Sequence, residues 1–325
     1  MDAQMDPGQA TVPNQVGKSN QTLVMGFVFQ GFSEYPDLWL PLFGCFFSLY
    51  TMALMGNILI IVIITCSSSL RSPMYFFLFN LATMDIICTS SVLPKVLVGL
   101  ALEENTISFQ GCMAQLFFVV WTLSSELLLL AVMAYDRYVA ICRPLHYRTL
   151  MSPGVCGALA ITVWVICALN SSIHTGLMAQ LYFCGSKVIT HFFCEIPSLL
   201  LLSCSPTHVN SIMTILADAF YGFINFVLTL VSYGCIISSI LRIRSSEGKR
   251  RAFSTCSSHL IVVSVYYSAV FCAYINPGSN YSPERSKVAG VLYTTLSPTL
   301  NPLIYTLRNK EVKAALGKIF PFCRN

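Results

Sequence analysis

Seven long apolar stretches make up most of the chain and leave few folds open to it. A helix needs roughly 20 apolar residues to cross about 30 Å of hydrocarbon, and each stretch reaches that length between more polar segments. Only 10% of the 325 residues are charged, whereas an ordinary soluble chain carries about 25%. We therefore predict one domain, an all-α bundle of seven transmembrane helices, at Trp39–Thr65, Pro73–Gly99, Cys112–Ala134, Val155–Met178, Val209–Leu241, Phe253–Ile275 and Val288–Leu307.

The basic residues predict the orientation of this bundle, because lysine and arginine beside a span stay in the cytoplasm. With the amino terminus outside, all but five of the 19 basic residues fall on the cytoplasmic side. We expect an extracellular tail at 1–38, the membrane domain at 39–307 and a cytoplasmic tail at 308–325. The start of the chain has no apolar signal-peptide core, so we expect the first span to serve as an uncleaved anchor.

One glycan acceptor fits this orientation. Asn20-Gln21-Thr22 matches the N-glycosylation triplet and precedes the first span. We predict a glycan at Asn20, although such triplets also arise by chance.

Four of the 14 cysteines fall on the extracellular side, where disulfides form. They are Cys112, Cys184, Cys194 and Cys204. Spacing alone leaves three ways to pair four cysteines, and one bridge with two free thiols is a further alternative. We find no cysteine or histidine spacing typical of a metal site and predict none.

Three acidic residues lie inside the predicted spans. At 1.5 Å per residue, Asp85 and Glu126 both lie about 16 to 18 Å from the inner face. Two such carboxyl groups either share a proton or hold a cation; separate hydrogen bonds to two protonated acids are the simpler alternative. Asp218 in the fifth span is a candidate for ligand contact, because an acid in a span marks a functional site by default.

Several motifs resemble one receptor family. MAYDRYVAIC spans Met133–Cys142, and SPTLNPLIY spans Ser297–Tyr305. Other matches are Gly56-Asn57, PMYFFLFNLATMD ending at Asp85, Ser232-Tyr233, RRAFSTCSSH ending at His259, and RNKEVKAAL beginning at Arg308. From about Phe27 onward, the chain resembles the olfactory (odorant) receptors, a family of rhodopsin-like G-protein-coupled receptors.

The resemblance implies a function without covalent catalysis. A small volatile or apolar molecule would bind in an outer transmembrane cleft and activate a stimulatory G protein of the olfactory type, which raises cyclic AMP. The location would be the plasma membrane, in olfactory cilia. It also implies the bridges Cys112 to Cys194 and Cys184 to Cys204.

The resemblance assigns roles to residues along the inner half of the bundle. An ionic latch would join Asp136 to Arg137 at rest and free Arg137 to meet the G protein. The full set for switching and coupling is Asp136, Arg137, Tyr138, Tyr233, His259, Asn301, Pro302 and Tyr305. A sodium-type ion site would use Asn57, Asp85, Glu126 and Asn301. We predict no other cofactor.

Helical spacing selects candidate ligand contacts in the outer halves of four spans. An apolar or aromatic stripe of this kind is also ordinary core packing. The candidates are Val119, Val120, Leu123, Ser124, Asp218, Tyr221, Tyr267, Val270, Phe271, Tyr274 and Thr294.

The segment after the seventh span is patterned as a short amphipathic helix. Val312, Leu316, Ile319 and Phe320 share one face, and lysines lie elsewhere, which suits a helix on the inner membrane surface. Cys323 beyond it is a free thiol or a palmitoylation site.

Other functions fit the sequence less well. The basic residues form no patch typical of nucleic-acid binding. A transporter would usually show internal repeats, and an enzyme would need a nucleophile and a base at one depth; neither pattern is found. A different small-molecule receptor of the same class, expressed outside the nose, remains the main alternative.

Overall fold

In a computed structural model, described here for residues 26–32, 36–274, 283–308 and 310–319, the chain is mostly helical. Its α-helices are α1 (Trp39–Cys66), α2 (Pro73–Leu102), α3 (Phe109–Cys142), α4 (Tyr147–Leu150), α5 (Pro153–Ala179), α6 (Ile196–Leu201), α7 (His208–Ala217), α8 (Asn225–Arg242), α9 (Ser246–Tyr274), α10 (Pro283–Val291), α11 (Ser297–Arg308) and α12 (Lys310–Ile319). Three short strands are β1 (Gly26–Phe29), β2 (Thr106–Ser108) and β3 (Val188–Ile189).

Five helical stretches in the described residues are long and apolar enough to cross a membrane. They are α1, α2, α3, α5 and the continuous stretch His208–Arg242. These coincide with the first five predicted spans, so the chain is a multi-pass membrane protein. The predicted sixth span corresponds to α9, apart from Ile275, which lies outside the described residues, and the seventh to α10 and α11.

Two helical stretches contain a π-helical turn, in which the backbone hydrogen bonds reach one residue further than in an α-helix. One turn, Asp218–Ile224, joins α7 to α8. The other, Leu292–Leu296, joins α10 to α11. The predicted fifth and seventh spans are therefore helical throughout but not regular α-helices.

Close contact between α1 and α11 depends on a glycine. A Cβ atom at Gly56 would lie only 2.7 Å from Cγ of Pro302, so any larger residue would push the two helices apart. The neighbouring Asn57 is buried, and its Nδ2 donates to the backbone oxygens of Ala53 and Pro298, both at 3.0 Å. The Gly56-Asn57 pair thus joins α1 to α11 by close packing and a hydrogen bond.

The three strands form a small sheet in the order β2–β1–β3. β1 pairs antiparallel with β2 and parallel with β3, where Val28 lies opposite Val188. Phe27 from β1 is buried and packs edge-to-face on Phe183, with ring centroids 5.2 Å apart. The segment before α1 is thereby attached to the loop that precedes α3 and to the loop that follows α5.

The last helix, α12, packs against the bundle. Val312 and Ala315 are buried in the main core, and Lys313 and Lys318 are exposed. The hydroxyl of Tyr75 in α2 donates to Oε2 of Glu311 at 2.6 Å. Of the predicted apolar face, Val312 and Leu316 contact this core, whereas the side chain of Ile319 and all of Phe320 and Cys323 lie outside the described residues.

Candidate functional site

An ion pair between neighbouring residues lies near the carboxyl end of α3. Nη2 of Arg137 lies 3.4 Å from Oδ2 of Asp136. The Asp136 side chain is fully buried, and the Arg137 side chain is 13% exposed. The other Asp136 oxygen, Oδ1, accepts a hydrogen bond of 2.8 Å from the hydroxyl of Tyr147 in α4. Both oxygens of this buried carboxylate are therefore engaged, one by a cation and one by a neutral donor.

Tyr147 is suited to remain that donor over the physiological pH range. Burial and the nearby Asp136 carboxylate raise its pKa above the ordinary tyrosine value. A raised tyrosine pKa means that the phenol keeps its proton to higher pH. The Tyr147 hydrogen bond to Asp136 is consequently present throughout the range in which cells operate.

A second polar contact joins the inner parts of α8 and α9. The hydroxyl of Tyr233 lies 2.5 Å from Nδ1 of His259, and both side chains are buried. Tyr305 in α11 is also buried, and its hydroxyl has no hydrogen-bond partner among the described residues. Tyr138 is half-buried and packs against the cluster that contains Tyr233. The predicted switch residues of α3, α8 and α9 therefore meet in one region.

The two acids near mid-bundle are both completely buried. Nδ2 of Asn301 donates to both oxygens of Asp85, at 3.2 and 3.0 Å. The hydroxyl of Tyr266 donates to Oε2 of Glu126 at 2.6 Å. The two carboxyl groups interact electrostatically with one another.

The groups around these two acids limit what the acids could bind. Oε1 of Glu126 is buried without a hydrogen-bond partner within the described part of the chain, which leaves an oxygen for a cation or a proton. Asn57, predicted as a ligand, instead directs its amide nitrogen to two carbonyl groups. The described residues contain no cluster of three or more acidic, histidine or cysteine side chains suited to a metal. Within the described part of the chain, these contacts leave one Glu126 oxygen without a donor, while both Asp85 oxygens accept from Asn301.

The predicted ligand contacts fall into three groups. Buried side chains are Val119, Ser124, Tyr221, Tyr267 and Thr294; half-buried ones are Val120, Leu123 and Asp218. The side chains of Val270, Phe271 and Tyr274 lie outside the described residues. Tyr221 and Tyr267 belong to one core cluster, with Leu123 packed against it. This grouping brings together residues of α3, α9 and the π-turn of the fifth stretch.

The long loop between α5 and α7 is held by two disulfides and a hydrogen-bonded carboxylate. Cys112 is joined to Cys194, and Cys184 to Cys204. Oε1 of Gln115 accepts from the backbone nitrogen of Cys194 at 2.9 Å. Near the first bridge, the hydroxyl of Ser286 in α10 donates to Oε1 and Oε2 of Glu195, at 2.9 and 3.0 Å. The loop is therefore fixed to α3 at one point and to α10 at another.

His191 lies within the same loop region. It stacks on Phe192 and meets the edge of Phe193, with Nε2 3.7 Å from Oε2 of Glu195. Burial lowers the pKa of this histidine, so its ring is neutral at neutral pH. A Cβ atom on Gly290 would lie 2.8 Å from Cε1 of His191, so this packing requires a glycine in α10.

Sequence reasoning missed two partners of the predicted residues and one contact between residues that it did not single out. Tyr147 bonds to Asp136, Tyr266 to Glu126, and Ser286 to Glu195. The last two pairs are far apart in the sequence, and a lone tyrosine or serine carries no local signal of such a contact. Tyr147 follows the Asp136-Arg137 motif closely enough that its proximity could have been suspected.

Comparison with known proteins identifies the family to which the chain is similar. Residues 46–322 match the family model described as olfactory receptor. The chain is 64% identical to human olfactory receptor 13A1 over 97% of this chain and 96% of that protein. It is 50% identical to human olfactory receptor 13G1 over 94% of this chain and all of that protein. Olfactory receptor 1G1 of Gorilla gorilla gorilla is 45% identical over 92% and 96% of the two lengths.

The helical fold, with five stretches able to cross a membrane, and the match to a receptor family define the chain as a helical membrane receptor rather than an enzyme. The chain belongs to the olfactory receptor family. It is an odorant receptor, and the resemblance found in the sequence is confirmed.

Proposed function

We propose that this receptor binds small volatile, apolar molecules and activates a stimulatory G protein of the olfactory type, which raises cyclic AMP. Seven spans cross the membrane with the amino terminus outside, α9 being the sixth and α10 with α11 the seventh. The protein acts at the plasma membrane, in olfactory cilia. The Asp136–Arg137 pair supports the proposal, because Arg137 lies near the carboxyl end of α3 and its release from Asp136 would expose a cation.

The ligand cleft lies between the outer parts of α3, the fifth helical stretch, α9 and α10. Its candidate residues are mostly apolar, which suits a volatile ligand. Asp218 is the acidic exception and supplies a polar contact that selects among ligands. A ligand acts by binding the active arrangement more tightly than the resting one.

We further propose that Asp85 and Glu126 hold either a sodium ion or a shared proton in the resting receptor. The buried oxygen of Glu126 without a hydrogen-bond partner supports either occupant. Isolated charge at this depth is costly, so a change in occupancy would accompany any rearrangement of α3 against α2, the helices that carry the two acids.

The experiment measures cyclic AMP in cells that express the receptor at a verified surface level. The probes are a panel of small alcohols, aldehydes, ketones and esters. We expect a dose-dependent rise that Arg137→Ala abolishes while surface expression survives. The matched control is Arg143→Ala, because Arg143 follows the same helix but is exposed; this variant should respond like the native chain.

Two results would count against the proposal. A fully responsive Arg137→Ala receptor would remove Arg137 from coupling to the G protein. A response in calcium or another messenger, without cyclic AMP, would overturn the stimulatory type while leaving the receptor class in place.

A further inference from the structure

The π-turn at Asp218–Ile224 is bridged by a side chain to which the predicted switch and ligand sets assign no role. Asn225 directly follows the turn at the start of α8 and is 3% exposed. Its Nδ2 donates to the backbone oxygen of Phe220 at 3.0 Å and to that of Tyr221 at 3.1 Å. These two oxygens lie five and four positions earlier, within the widened turn. One amide therefore bonds to two consecutive carbonyl groups of the π-turn.

These two bonds stabilise a conformation that the backbone alone does not favour. π-helical turns are rare and occur frequently at functional sites. Asparagine is a weaker helix former than leucine, and its amide group is costly to bury without partners. At this position the amide nitrogen has two acceptors, the carbonyl oxygens of Phe220 and Tyr221. An apolar side chain of the same size would offer these oxygens no donor.

The turn sets the rotation of one half of the helix against the other. An α-helix has 3.6 residues per turn, about 100° per residue. One extra residue in a turn therefore rotates everything before it by about that angle relative to everything after it. The turn itself carries Asp218 and Tyr221, α7 precedes it, and α8 after it carries Tyr233, which contacts His259.

The exposure of neighbouring side chains shows which orientation the turn selects. Tyr221 is 8% exposed and belongs to the main core, whereas Phe220 and Phe223 are 46% and 66% exposed. If the same residues formed a regular α-helix without the wide turn, the preceding segment would rotate by about 100° off this orientation. Asn210 in α7, now 6% exposed, would turn away from the bundle.

We propose that Asn225 is a positioning residue for ligand recognition. Its amide fixes the π-turn, and the π-turn fixes the rotation of the ligand-facing half of the fifth helix relative to the G-protein-facing half. The inference rests on the proposed function in one respect, namely that Asp218 and Tyr221 face the ligand cleft.

The test uses the full-length chain and compensating changes in helix register. Asn225→Leu keeps the size of the side chain and removes both donors. Deletion of Gly222 removes one residue from the turn at a position where a Cβ atom would have no neighbour within 4 Å. We expect each single change to lower the surface level, measured by surface biotinylation, at least about fivefold, the effect of two lost hydrogen bonds. The combined variant lacks both the extra residue and the amide that holds the π-turn, so it forms a regular α-helix with both halves in their native orientation. Its surface level should return to within about twofold of native.

A matched control separates this effect from general damage to the helix. Thr214→Val removes a single bond of 2.9 Å, from Thr214 Oγ1 to the Asn210 oxygen, within the regular helix α7. It should leave the surface level near native, and adding the Gly222 deletion to it should lower that level as much as the deletion does in the native chain. If Asn225 stabilised the protein without setting the register of the helix, the losses of surface level caused by Asn225→Leu and by the Gly222 deletion would add rather than cancel.

The proposal is overturned if Asn225→Leu reaches the surface at the native level and keeps the native ranking of aliphatic alcohols and aldehydes. It is also overturned if the combined variant is no better than either single change. Surface biotinylation needs neither agonist nor G protein. Rescue without any cyclic AMP response would therefore refute the proposed function and leave the register role standing.

Discussion

Removing the Tyr147 hydroxyl should raise the activity of the receptor in the absence of any ligand. This hydroxyl holds Oδ1 of Asp136, and Oδ2 faces Arg137. Without the bond the carboxylate loses its fixed orientation, so the ion pair with Arg137 weakens. If release of Arg137 accompanies activation, Tyr147→Phe destabilises the resting state more than the active one.

The size of the effect follows from the kind of bond. A hydrogen bond to a charged group contributes about 1.5–3 kcal/mol, and Tyr147 is only half-buried, so we take the lower end. About 1.4 kcal/mol is a tenfold change in an equilibrium constant. A receptor that is active about 1% of the time, within the usual range for a minor state, would then be active about 9% of the time.

The assay is cyclic AMP without added odorant, normalised to surface level. Tyr135→Phe is the matched control, because Tyr135 lies on α3 beside Asp136 but is 41% exposed. It should leave the basal level unchanged. Asp136→Asn should raise the basal level further, and adding Tyr147→Phe to it should change nothing more, because both act through one ion pair. A Tyr147→Phe receptor with native basal output, or effects that multiply in the double variant, would refute the reasoning.

Three further changes probe other contacts. Asp218→Asn should alter which ligands activate the receptor, measured as the ranking of a small-odorant panel; an unchanged ranking would remove Asp218 from the site. If a sodium ion is held near Glu126, replacing external sodium by choline should shift agonist potency in the native receptor but not in Asp85→Asn, whereas a shared proton predicts no sodium effect in either. Cys112→Ser should lose about 2–5 kcal/mol of stability, as expected for a native disulfide, and be retained inside the cell; a native surface level would show that the bridge to Cys194 is dispensable.

Apolar length was sufficient to locate the helices but not to place their ends. The third span was predicted to end at Ala134, yet α3 continues to Cys142. The charges of Asp136 and Arg137 do not end the helix, because they are paired with each other and Asp136 is bonded to Tyr147. The π-turns left no mark in the apolar pattern, since one extra residue disturbs the periodicity too little to be read from one sequence.

The site was predictable where the relevant residues are neighbours in sequence. Asp136 and Arg137 stand side by side in a motif, so their pairing required no knowledge of the fold. Asp85 and Glu126 were placed at one depth by counting residues, and the family resemblance put Asn301 beside Asp85, but Tyr266, the partner of Glu126, comes from a distant helix and was not foreseen. Such contacts depend on how the helices pack, and a single sequence does not record that.

The pairing of β1 with β3 also imposes an order on biosynthesis. Val28 emerges from the ribosome early, but Val188, its partner, lies nearly half the chain further on. β1 can pair with β2 as soon as Thr106–Ser108 has been made, whereas its other edge stays open until β3 follows the fourth span. The sheet is therefore completed only on a chain whose first four spans have already been synthesised.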